Sequence, residues 1–177
     1  CPVGEIPLTT AERAFGARYT ARIVVEPTLS AKASPNKQWG PQRWEALAVL
    51  LARHGHRVSQ LGPAGMPLLP GAERIETATF RQACGALALA RLAILPEGGL
   101  HHAAAPLGVP SIVLFGGFIS PRQTGYAHQA NFFTGGEPCG LRVRCAHCTK
   151  AMKRIEPEEV LRHALALLAL SDSTGFD

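Results

Sequence analysis

Two stretches of this chain carry groups suited to holding an anion. Residues 28–40, TLSAKASPNKQWG, bring Thr28, Ser30, Lys32, Ser34 and Lys37 together just past an apolar run. Hydroxyls and ammoniums so mixed suit phosphate oxygens, although a solvated loop has the same composition. The second stretch, LAILPEGGLHHAAAPLGVPSIVLFG at 92–116, sets Glu97, Gly98 and Gly99 between a buried-strand pattern and a short apolar helix. First-turn amides of a helix have no intrahelical partner, so the backbone of Gly98–Leu100 can receive an anion. A glycine pair before a helix is also what a plain turn looks like. His101 and His102 follow, and adjacent helical positions point about 100° apart, so the two should not serve one ligand. His102 suits a phosphate or sugar oxygen or a packed position, and His101 suits surface or packing.

A third group is Cys139, Cys145 and Cys148, with His147 inside the last pair. Tetrahedral zinc takes four ligands, commonly from CxxC pairs. Here His128, His147 or Cys84 would have to complete the set, and His147 is awkwardly placed between two ligands. A structural zinc or iron, a disulfide and free thiols all remain open. No acid or histidine cluster offers a metal with an open coordination position for catalysis.

These residues need elements to position them. Apolar runs at 21–26, 56–61, 72–76, 92–95, 111–115 and 131–134 read as strands. Helical spacing appears from Pro41 to Gly55, from Thr77 or Thr79 to Ala90, over 100–107, and from Pro157 to Leu170. Gly85 weakens the second of these helices slightly. Residues 1–20 read as a linker or N-terminal extension that can hold a short helix, with a turn capped by Thr9 or Thr10; 21–177 read as one domain. Residues 62–71, 118–129 and 135–150 read as loops, and SDSTGFD as a frayed tail. The alternation predicts an α/β, Rossmann-like parallel sheet with helices on both faces. With the order 3-2-1-4-5-6, the loops after strands one and four face each other across the switch point, where ligands bind.

Composition sets bounds. The chain has 177 residues, 46% hydrophobic and 18% charged, with formal net charge +5. That suits one globular domain and a phosphorylated ligand or anionic membrane surface. No basic run interleaved with aromatics points to nucleic acid. No apolar run reaches the length of a membrane span, and there is no signal-peptide pattern. The five cysteines in an α/β pattern suggest the cytoplasm. The first residue is Cys1 rather than Met, which suggests an upstream part removed or omitted.

The two anion-binding stretches carry a resemblance. NKQWGPQRW at 36–44 resembles the Lys-x-Trp-Pro-x-x-x-Trp stretch of glycosyltransferase family 9, the family of ADP-heptose–lipopolysaccharide heptosyltransferases. EGGLHHAAAPLGVPSIVLFG is similar to its Asp-(Ser/Thr)-Gly-x-x-His-x-x-x-Ala-x-Gly-x-Pro-x-x-x-x-(Phe/Tyr)-Gly run. The resemblance covers residues 21–170 and implies the C-terminal, donor-binding half of a GT-B enzyme. It implies that Lys37 binds the donor phosphates and that Gly98, Gly99 and Leu100 hold the pyrophosphate through their backbone. It also implies that His102 matches the family histidine and that Ala78 lies where the adenine is framed. Glu97 stands for the family Asp and Gly98 for its Ser/Thr, so a carboxylate is longer and a hydroxyl is lost. The loop after the second strand has no acid for the ribose, and Glu73 is the nearest substitute. Some relatives carry Cys-rich loops near the position of Cys139–Cys148.

The resemblance further implies that the acceptor side and catalytic carboxylate come from an N-terminal domain or partner chain, with no catalytic residue in these 177. The expected activity is donor binding within lipopolysaccharide or other glycan assembly, with peripheral contact at the inner membrane; the chain alone should be inactive. A stand-alone nucleotide-binding or interaction module is the alternative. A nucleotide-sugar epimerase of related architecture ranks lower, because this half lacks the acid/His pairs.

Overall fold

The computed structural model describes residues 1–27, 33–134 and 136–173. Six parallel strands form one sheet: β1 (Ile23–Val25), β2 (Val58–Gly62), β3 (Glu73–Glu76), β4 (Leu92–Pro96), β5 (Ser111–Leu114) and β6 (Ala130–Phe132). Their order is β3-β2-β1-β4-β5-β6, with Val25 beside Ile94 and Pro96 beside Leu114. This is the expected doubly wound order, with the switch point between β1 and β4.

Side chains alternate across the sheet into two cores. Ile23, Val25, Leu92, Ile94, Ile112 and Leu114 face one way, under α2 (Pro41–Arg53) and α7 (Pro157–Ser173). Val24, Ala93 and Leu95 face the other, under α3 (Phe80–Leu87) and α4 (Gly99–Ala104). Strands buried on both faces need near-continuous apolar runs, which is why they stood out in the sequence.

The segment read as a linker is part of this second layer. Thr9 and Glu12 form a reciprocal cap on α1 (Thr10–Ala17), a motif that satisfies two orphan amides. Helix α1 crosses α3 at glycines: a Cβ on Gly16 would lie 2.0 Å from the Gly85 carbonyl oxygen, and one on Gly85 2.3 Å from that of Glu12. Gly85 is therefore required by the crossing and is not merely a weak helix former. Arg81 bonds both oxygens of Glu12 at 2.7 and 2.6 Å and holds that carboxyl down to about 2.

Three other segments differ from the sequence reading. The turn before α2 contains a 3-10 helix, Pro35–Lys37. A four-residue helix, α5 (Pro121–Thr124), interrupts the loop after β5. The cysteine loop runs into α6 (Ala146–Lys153), capped by Cys145. Among the described residues no helix is long and apolar enough to cross a membrane.

Candidate functional site

The site grows from two tryptophans. Trp39 and Trp44 are buried edge to face, with centroids 5.0 Å apart, and the Trp39 indole donates to the Ile155 carbonyl at 2.8 Å. They fix the start of α2, and Lys37 stands two residues before Trp39. Lys37 reaches across the switch point to an ion pair with Glu97 at the end of β4, and its Nζ lies 4.9 Å from the Phe118 ring centroid. The loops after β1 and β4 therefore meet, through a lysine 15% exposed and a glutamate 5% exposed. An ammonium and a carboxylate so far from water depend on one another.

Helix α4 opens beside this pair. The Gly98 amide donates to His101 Nδ1 at 2.9 Å, so it is not one of the amides left for an anion. Gly99 is exposed, and its amide and that of Leu100 belong to the first turn; the Leu100 side chain is in the core. His101 is fully buried. With Nδ1 accepting, its ring proton sits on Nε2, which donates to the Thr124 carbonyl at 3.0 Å. Its own carbonyl accepts from Gln129 at 2.9 Å. His101 thus ties the helix start to the segment after β5. His102 is half-buried, with Nδ1 3.0 Å from the Tyr126 hydroxyl. Burial, then the neighbouring His101, lowers its pKa, while Glu97 opposes.

The two rings lie only 3.9 Å apart, centroid to centroid, closer than helical geometry suggested. They join Glu97 in a group whose ligand atoms fall within 4.8 Å of one another. No such cluster was visible in the sequence. Both His101 nitrogens are already bonded and Glu97 already pairs with the Lys37 ammonium, so neither is a free ligand for a cation.

The other expected residues are distributed as follows. Ser30 lies outside the described residues. Ser34 is buried; its hydroxyl accepts from the Asn36 amide and donates to the Leu141 carbonyl at 3.0 Å, so it braces the loop and is not a free phosphate ligand. Ala78 is exposed at the entry to α3. Two residues on, Phe80 is 52% exposed and its Cε2 would lie 3.4 Å from a Cβ on Gly99. That exposed ring beside the glycine turn gave no signal in the sequence, where it resembled any apolar helix residue. Glu73 does not face the switch point: it sits at the start of β3 and pairs with Arg22 and Arg57 at the N-terminal ends of the strands. The acid at the C-terminal end of β3 is Glu76, beside Gly62.

The cysteine loop forms a second cluster. Cys139 Sγ lies 2.9 Å from Cys148 Sγ and 3.6 Å from Cys145 Sγ, and Cys148 Sγ lies 3.9 Å from His147 Nδ1. All the cysteines are free thiols. Burial and the other two thiols push the Cys148 pKa up, whereas hydrogen bonds from Cys148 lower that of Cys145. Ligands at about 2.3 Å from a zinc would stand roughly 3.7 Å apart, close to two of these separations. The cluster can hold a metal, with His147, rather than His128 or Cys84, as the fourth ligand. Its position within the CxxC is workable because Cys145 caps α6 and the chain turns there into the helix.

Residues 3–155 match the family model described as glycosyltransferase family 9 (heptosyltransferase). No curated protein matches the chain. Among solved structures, the ADP-heptose lipopolysaccharide heptosyltransferase II of E. coli is similar with TM-score 0.71 and 19% identity, over 95% of this chain and 54% of that one. The E. coli heptosyltransferase WaaC, solved with ADP, gives 0.63 and 18% over 90% and 46%. The iron-containing dodecameric glycosyltransferase TibC of enterotoxigenic E. coli H10407 gives 0.64 and 15% over 84% and 45%. The chain thus spans about half the length of these structures. At such identities the likeness is one of fold.

Proposed function

The chain belongs to glycosyltransferase family 9, and from that premise we propose that it binds the nucleotide-sugar donor, an ADP-heptose-like molecule, for transfer in lipopolysaccharide or other glycan assembly. The observation that carries this is the Lys37–Glu97 pair at the β1/β4 switch point, next to the open first turn of α4. A diphosphate entering there takes over the Lys37 ammonium and the amides of Gly99 and Leu100. Glu97, released from the lysine, accepts from a sugar hydroxyl. With Tyr126 donating to Nδ1, His102 has Nε2–H left to donate to a phosphate or sugar oxygen. Ala78 and Phe80 frame the base, the ring as a stacking surface, and Ser30 is a further hydroxyl for the phosphates. Cys139, Cys145 and Cys148, with His147, hold a structural zinc or iron; one fold relative, TibC, is an iron-containing glycosyltransferase.

Calorimetric titration of ADP and of UDP tests this reading. ADP should bind in the micromolar to millimolar range, and more tightly than UDP. Gly99→Asp should abolish binding by placing a carboxylate at the phosphate position. The fold tolerates a side chain there, since only the edge of Phe80 approaches, at 3.4 Å. Equal ADP binding by the wild type and the variant would overturn the assignment.

A further inference from the structure

The thiol cluster and the Lys37 turn are physically joined. The Asn36 side chain, 3% exposed, donates to the carbonyls of Leu141 and Val143 at 2.8 and 2.7 Å and accepts from the Cys145 amide at 2.9 Å. Every hydrogen-bonding group of that amide is thus used on one loop. The Ser34 hydroxyl reaches the same Leu141 carbonyl. At its other end the loop is tied to the Lys37 surroundings again: the amides of Cys139 and Gly140 donate to the carbonyls of Gly117 and Phe118 at 3.1 and 3.0 Å. The Phe118 ring is the one facing the Lys37 ammonium. Loop 139–145 therefore braces Lys37 from its neighbour Asn36 on one side and from Phe118 on the other.

Arg144 adds a 3.5 Å bond to the Gln38 side chain. Leu141 and Val143 are 49% and 68% exposed, so no apolar anchor fixes its tip. Its ends converge at the thiols, where a metal bonded to Cys139 at one end and Cys145 and Cys148 at the other would close residues 139–148 into a ring. Closing such a ring removes conformational freedom from everything inside it.

We propose that metal binding by Cys139, Cys145, Cys148 and His147 acts as a clamp that sets the position of Lys37, through Asn36 and Phe118, so that metal occupancy controls donor affinity. The ion is a divalent metal of the zinc or ferrous class, which prefers thiolate and imidazole. Its binding releases the thiol protons to solvent. This inference rests on the metal and donor readings above.

The test compares the full chain, reduced and chelated, with the same chain reloaded with one equivalent of Zn2+. Backbone hydrogen exchange of Asn36, Lys37, Gln38 and Phe118 is followed, together with ADP calorimetry. Zinc should slow exchange at these amides at least tenfold and tighten ADP about tenfold. Co2+ substitution should show thiolate-to-metal absorption. Asn36→Ala should keep the cobalt spectrum but lose the effect of metal on exchange and on ADP. Absence of metal uptake, or uptake without a change in exchange at 36–38, overturns the clamp. Should the variant not fold, the chelated and loaded wild type still decide the matter. If exchange responds to zinc while ADP binds in neither state, the donor reading fails and the positioning of Lys37 alone stands; ADP bound equally with and without zinc overturns the control of donor affinity.

Discussion

At the scale of single residues, the site shows how burial changes what a side chain can do. Lys37 and Glu97, both largely shielded from water, are held against one another as an ion pair. Glu26, directly after β1, has lost enough water that its carboxyl is pushed up to about 8. The unfolded chain releases that proton near pH 4.5 and the folded chain near pH 8, so between them the folded state binds more protons. Stability from this group therefore falls as pH rises across that window, by up to about 1.4 kcal/mol per pH unit. Glu26→Gln should be more stable than the wild type at pH 8, with the difference closing toward pH 5, as read from urea midpoints. A constant difference at all pH values would show that Glu26 ionises normally.

At the scale of elements, contacts between helices reassign several residues. Gly85 lowers helix propensity by about 1 kcal/mol relative to alanine, and on sequence alone its replacement should stabilise α3. The crossing with α1 reverses that sign: a Cβ there would press on the Glu12 carbonyl at 2.3 Å, against backbone rather than a flexible side chain. Gly85→Ala should destabilise by about 1–3 kcal/mol, the usual cost of overpacking. A denaturation midpoint equal to or above the wild type would show that α1 docks loosely. The same reasoning separates the adjacent histidines. His101 fastens α4 to Thr124 and Gln129, whereas His102 is left beside the Lys37–Glu97 pair.

At the scale of the whole molecule, the described residues form a Rossmann-like six-stranded sheet with its switch point between β1 and β4. Catalysis needs an acceptor hydroxyl placed against the donor and a base to receive its proton, and the reading above assigns neither to this chain. With ADP-heptose and an acceptor glycan, the chain alone should bind donor and release no ADP above background; steady turnover in a coupled assay would show that it carries its own base. Recovery of transfer on adding an acceptor-binding half would favour a divided enzyme over a binding module that no longer catalyses.

The strand–helix alternation, the doubly wound order and the family itself were legible in the sequence. Strands buried on both faces must be apolar throughout, and the Trp39/Trp44 and EGG stretches are short, local and contiguous. What the sequence left undecided were pairings between distant residues. Ser34 meets Leu141, Glu73 meets Arg22, Gly85 meets Glu12 and His147 joins the three thiols. Those partners depend on register, crossing geometry and the path of loops between elements. A hydroxyl, a carboxylate or a glycine carries no local mark of what it will touch, and only the tertiary structure decides whether it binds a ligand or holds the fold that does.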